Sequence, residues 1–101
     1  MKPEDVNSVE FASPKILYND GSFTIAWGIY ARDKQKYLAM RWDGENGSHG
    51  FPKSSDGTGR ALWFIVDGNF TNPMLLMLEN MRTGVNHKHV EEIIREIRDT
   101  L

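Results

Sequence analysis

The side chains best equipped for recognition gather around residues 43–60, a stretch with five glycines (44, 47, 50, 57 and 59) and few residues able to build a core. Arg41 and Trp42 stand before it, Arg60 and Trp63 close it, and Asp43, Glu45, His49, Phe51 and Lys53 lie inside. A guanidinium offers a planar fork of donors and an indole a stacking surface. Arg41, Trp42, Asp43, His49, Arg60 and Trp63 together therefore suit a flat or anionic ligand. The competing reading makes both tryptophans core residues and both arginines solvated strand ends. An enzyme acting on a polar or anionic small molecule would use the same loop with His49 or Asp43 as base, but the sequence assigns His49 no serine or carboxylate partner. Recognition groups without a convergent acid, base and nucleophile favour a non-catalytic binding protein, with a small molecule or another protein as partner.

Three motifs fail on their surroundings. Gly57-Thr58-Gly59-Arg60 has the look of a phosphate-cradling turn, yet it leads into a β-like run, whereas such turns use the N-terminus of a following helix. Asp43-Gly44-Glu45-Asn46-Gly47 resembles the start of a calcium loop, but Ser48 stands at the sixth position and Ser54 at the twelfth, where Gly and Glu are needed. His87 and His89, two residues apart at a helix start, point to different sides and cannot easily share one metal. The chain has no cysteine, which removes disulfides, thiolate zinc ligation and a Cys nucleophile. Neither a metal nor a cofactor is expected.

These residues need a frame, and the patterning predicts one. Residues 9–18 are β-prone but contain Pro14, which suits an edge strand or a bend. Asp20-Gly21 tolerates a type I′ turn and predicts a hairpin into residues 22–32. There Phe23, Ile25, Trp27 and Ile29 alternate with Ser22, Thr24, Ala26 and Gly28, so one face is apolar and the other small. Gly28 marks a bulge or a close approach of another group. Residues 37–42 make a third strand, with Leu38, Met40 and Trp42 on one face and Tyr37, Ala39 and Arg41 on the other. Residues 61–66 are apolar on both faces, as expected of a central strand covered on each side or of one packed in an oligomer, and should be the best protected part of the sheet.

Two helices follow. Asn72 as N-cap, Pro73 in the first turn and Gly84 as a stop predict one over about 73–82. A second begins at Asn86 and carries Val90, Ile93, Ile94, Ile97 and Leu101 as one apolar stripe, with Glu91 and Arg95 spaced for an ion pair on its outer face. The first helix is apolar nearly all round, so Met74, Leu75, Met77, Leu78 and Met81 are either wedged into the core or covered by another copy in a homo-oligomer, a dimer being the simplest. The whole predicts an α+β domain over residues 9–101, a four-stranded mainly antiparallel sheet with two C-terminal helices on one face, preceded by a loosely held leader over residues 1–8.

Composition narrows the partners. At 101 residues the chain is long enough for a core of its own, and 40% apolar with 26% charged residues is ordinary globular usage. A net charge of -2 and a pI near 5.9 lack the basic stripe that grips nucleic acid, so none is expected. No apolar run approaches the length of a membrane span, and the polar N-terminus lacks a signal-peptide core, which points to the cytoplasm.

The stretch Met40-Arg41-Trp42-Asp43-Gly44 through Gly50-Phe51-Pro52 to Leu62-Trp63-Phe64, with Phe23-Thr24-Ile25-Ala26-Trp27-Gly28 before it, resembles small uncharacterised bacterial proteins carried on mobile integron gene cassettes. The resemblance covers the middle half of the chain, brings no catalytic motif and implies a bacterial, cytosolic, often oligomeric protein.

Overall fold

A computed structural model describes residues 1–45 and 47–100; Asn46 in the long loop and Leu101 at the end of the predicted stripe lie outside the described residues. Four antiparallel strands pair in chain order, β1 (Phe11–Asn19), β2 (Phe23–Tyr30), β3 (Lys36–Trp42) and β4 (Phe64–Ile65), and two helices follow, α1 (Thr71–Asn80) and α2 (His87–Asp99). The chain is thus the α+β fold that its strand alternation and its helical stripe predict.

The unlike faces of β2 decide what covers each side of the sheet. Its large residues Ile25 and Trp27 join Leu17 and Leu38 against Leu75 and Leu78 of α1 and Val90 and Ile93 of α2. On the small face, Ala26 and Ala39 lie beneath Val6, Phe11, Ala61 and Trp63. Helices cover one side, and irregular chain from the N-terminus and the long loop covers the other. That second cover lies close because little projects toward it: a Cβ at Gly28 would stand 2.6 Å from the Phe11 ring. Residues 1–8, expected as a loose leader, form a 3₁₀ turn (Pro3–Asp5) and bury Pro3, Val6 and Ser8.

Pro14 falls on an edge strand, where the β1–β2 register shifts between Ala12 and Lys15 and Ser13 takes φ 53°. A residue without an N–H fits such a bulge. The hairpin after β1 forms but is not a type I′ turn. Gly21 has φ 92° with no positive φ at Asp20; the Asp20 carboxylate instead accepts from the amides of Ser22 and Phe23 at 2.8 Å each.

Residues 61–66 are an edge rather than the predicted centre: Phe64 and Ile65 pair with Met40 and Ala39 of β3, Val66 N–H meets the Leu38 carbonyl at 2.9 Å, and Ala61 bridges the long loop at Lys53. Both faces are apolar because Ala61, Trp63 and Ile65 meet the second core, whereas Val66 meets the first and Phe64 is exposed. Asp67 caps a 3₁₀ turn (Gly68–Phe70) that runs into α1, so the helix begins at Thr71 and Asn72 lies within its first turn. It stops at an extended Met81, before Gly84. Residues 84–86 then lie against β1, with Asn19 N–H on the Gly84 carbonyl and Asn86 N–H on that of Leu17.

Asn86 caps α2 as expected, its side chain accepting from His89 N–H at 3.1 Å. Among the described residues Glu91 and Arg95 form no ion pair; Glu92 and Glu96 reach back to Lys15 and Lys36 of the sheet instead, and Glu96 also accepts from the Trp27 indole at 3.0 Å.

Candidate functional site

The long loop is a folded flap. Trp42 and Phe51 exchange both backbone hydrogen bonds, at 2.7 and 2.8 Å, which carries the β3 ladder into the loop. Lys53 then bridges Ala61, and Ser54 N–H meets the Arg60 carbonyl at 2.9 Å, so residues 51–54 fold back on 60–62. Between them Asp56 accepts from the Ser54 hydroxyl and from the Thr58 hydroxyl and amide. These bonds, the Thr58 hydroxyl first, hold the Asp56 carboxyl down at about 2. The Thr58 amide of the supposed phosphate turn is therefore already taken by the protein's own acid.

Beneath the flap lies Arg41, only 1% exposed, with Asp43 at 2%. Its Nε donates to Asp43 Oδ1 at 3.3 Å, Nη1 to the Leu62 carbonyl, and Nη2 to the carbonyls of Trp42 (3.2 Å) and His49. Asp43 also accepts from the Thr24 hydroxyl at 2.5 Å. Burial pulls the Arg41 pKa below its ordinary value, and the Asp43 charge works against that pull. One guanidinium thus ties the start, middle and return of the flap together. Gly50 must be a glycine here: its φ is 66°, and a Cβ would stand 2.0 Å from the Trp42 carbonyl oxygen.

The structure separates the six candidates named from sequence. Arg41 and Asp43 are buried and face each other. Trp63 is buried too, its ring 5.5 Å from that of Phe11, and its indole N–H has no partner among the described residues. Arg60 gives its fork to Glu10, at 2.6 and 3.0 Å, fastening the N-terminal cover to the flap. His49 is exposed, and its Nδ1 donates to the Gly59 carbonyl at 2.7 Å. Trp42 alone of the six offers an open apolar surface. His87 and His89 diverge, one toward the Met81 carbonyl and the other toward that of Ile16. No three His, Asp or Glu side chains converge as a metal site among the described residues.

Trp42 has company that the sequence reading did not assemble. It packs edge-on against Phe23 with centroids 4.7 Å apart, and a small, largely apolar hollow of about 150 Å³ is lined by Phe23, Met40, Arg41, Trp42, Phe51, Pro52 and Phe64. Trp42, Phe51 and Phe64 are 56%, 63% and 59% exposed. Phe51 comes from the flap through its pairing with Trp42, and Phe64 from β4 opposite Met40. One signal was available: a run apolar on both faces leaves one face bare when the chain has too few helices to cover it. Of the helix residues named as an interface, Leu75 and Leu78 are buried, Met74 and Met81 are half-buried against the first core, and Met77 is exposed.

These features define a two-layer α+β domain with an ordered flap and an exposed aromatic face. Compared with protein-family models, with curated proteins and with solved structures, the chain matches none. Among the described residues no helix is long and apolar enough to cross a membrane.

Proposed function

We propose that this domain is a non-catalytic interaction protein that recognises another protein through the apolar face of Trp42, Phe51 and Phe64. One observation carries the reading: three large aromatics, each more than half exposed, stand together on regular backbone instead of scattering singly. Contiguous apolar surface of a few hundred Å² marks interaction sites on otherwise polar proteins, and rigid aromatic anchors dominate binding energy. Arg41 and Asp43 then serve as the scaffold that holds Phe51 beside Trp42, with Arg60 as tether. Catalysis by the same loop draws less support, because Asp43 is held by Arg41 and Thr24, and His49 has a backbone carbonyl on Nδ1. The resemblance to cassette-borne bacterial proteins accords with a cytosolic interaction protein but assigns no residue.

Panning a random-peptide display library on the immobilised protein tests this. Peptides rich in aromatic and aliphatic residues should be enriched on the wild type and lost on a Trp42→Ala, Phe64→Ala variant whose circular dichroism is unchanged. Equal enrichment on both proteins overturns the reading.

A further inference from the structure

On β3 the second core ends at Ala39. Two positions earlier Tyr37 projects from the same face, and Tyr30 does so at the end of β2. Neither ring joins that core; they pack on each other, with centroids 5.9 Å apart and planes at 83°. An open cleft of about 550 Å³ lies between this pair and residues 65–69, and a Cβ on Gly68 would stand 4.0 Å from the Tyr37 ring. That volume is in the range of small-ligand pockets. Strand alternation puts Tyr37 and Trp42 on opposite faces of β3, and the cleft shares no lining residue with the hollow beside Trp42, so the two sites are separate.

Negative charge gathers at this cleft without a cation of its own. Asp67 lines it; one carboxylate oxygen accepts from Asn69 N–H at 2.9 Å, and the other has no hydrogen-bond partner among the described residues. Asp33 reaches the cleft through Tyr37, whose hydroxyl donates to it. No lysine or arginine lines the cleft, and among the described residues neither acid forms an ion pair. Arg32 stands beyond ion-pair distance, and its charge is the least of the influences holding the Asp33 carboxyl down. The bond to Asp33 first, then burial and the charges of Asp33 and Asp67, raise the Tyr37 pKa. The ring therefore lies in a field that opposes a further negative charge and favours a positive one.

We infer that this cleft binds an organic cation, an alkylammonium group seated in the corner of the two tyrosine rings with Asp67 as its counter-ion. Two rings set at right angles give such a cation an electron-rich face on each side. An anion would meet carboxylates and the negative faces of the rings, and a neutral apolar group would desolvate Asp67 without pairing it. A bare metal ion needs more oxygen ligands than one free carboxylate supplies. The alkylammonium group comes either from a free amine or from a lysine side chain of another protein.

Amide-resolved NMR titration of the full chain tests the proposal with two probes of one shape, choline and its uncharged isostere 3,3-dimethyl-1-butanol. Choline should move the amides of Tyr37 and residues 67–69 and bind at about millimolar concentration, the isostere about tenfold more weakly. Asp67→Asn keeps an N-cap and removes the charge, so it should leave the melting temperature unchanged and weaken choline about two- to fivefold. Tyr37→Leu should weaken it by a similar factor. A lysine-containing tripeptide that binds more tightly than n-butylammonium supports the site with a protein side chain as the source, and the reverse order supports it with a free amine. Equal shifts from choline and its isostere overturn the proposal. So do a spectrum unmoved at tens of millimolar choline, and choline binding that Asp67→Asn and Tyr37→Leu both leave intact.

Discussion

Two adjacent residues at the end of β3 reverse the usual partition of a sheet. Arg41 carries a full charge and is buried; Trp42 is the largest apolar side chain type and is more than half exposed. Strand alternation puts them on opposite faces, so grouping them as one site from sequence joined surfaces that the sheet keeps apart. The inner face spends its charge on backbone: four acceptors, three of them carbonyls in or beside the flap, converge on one guanidinium. The outer face leaves unrealised the roughly 1.5–3 kcal/mol that fully burying each aromatic would bring. The first arrangement fixes the second, since the flap held by Arg41 is what delivers Phe51 to Trp42. The inner face should therefore govern stability and the outer face recognition.

The sharpest way to break that division is Arg41→Met. The change leaves Asp43 buried without its cation and the Leu62 and His49 carbonyls without their guanidinium donor, a loss of about 3–5 kcal/mol. For a chain of this size the melting temperature should fall by more than about 10 °C. Amide exchange should quicken first at Phe51 and Leu62, whose N–H groups bond to Trp42 and Pro52. Adding Asp43→Leu should restore part of the loss, because the orphaned charge goes with it. If Arg41→Met costs under about 1 kcal/mol in urea titrations, the guanidinium does not organise the flap.

A smaller effect of the same kind is expected at Gly28, on the small face of β2. With Phe11 2% exposed and its ring 2.6 Å from where a Cβ would stand, Gly28→Ala must push the ring off the sheet. Overpacking of that size costs about 1–3 kcal/mol. Chemical denaturation measures it, and the aromatic face should be untouched, with peptide selection as in the wild type. Loss of selection without loss of stability would instead tie the two faces together.

How far the sequence was legible depends on the range of the forces involved. Periodicity is local, so the hairpin, the third strand, the Asn86 cap and the α2 stripe could all be read before any tertiary contact was known. Gly28 as a place of close approach was legible too, since only a missing side chain explains a glycine amid strand residues. What failed was non-local. The order of residues 61–66 in the sheet depends on pairing with Ala39 and Met40 across the flap, and nothing within that run encodes it. The fate of Arg41 depends on carbonyls at positions 49 and 62, eight and 21 residues away. An arginine beside a tryptophan looks like recognition chemistry until the backbone that uses it is in place. The aromatic face was missed for the same reason, as Phe23, Trp42, Phe51 and Phe64 come from four separate segments.

The least effect separates a buried ion pair from an exposed one under the same flap. Arg60 grips Glu10 with two hydrogen bonds, but both side chains are 42% exposed, so the pair is worth only about 0.2–1 kcal/mol. Arg60 first, then the Ser8 hydroxyl, hold the Glu10 carboxyl at about 2, whereas in the unfolded chain it returns to about 4.3. Between those values the unfolded chain binds more protons, so this contribution is fully present above about pH 5 and is lost as pH falls toward 2. Glu10→Gln should lower stability slightly at neutral pH and flatten the acid limb of the stability curve. It should not abolish that limb, because Asp56 titrates in the same window and stays in place. An acid limb as steep as that of the wild type would show that this clamp contributes nothing. The N-terminal cover would then be held by burial of Val6 and Phe11 and by backbone bonds such as Ala31 N–H on the Glu10 carbonyl, and the charge that matters to the flap would be the buried one, Arg41.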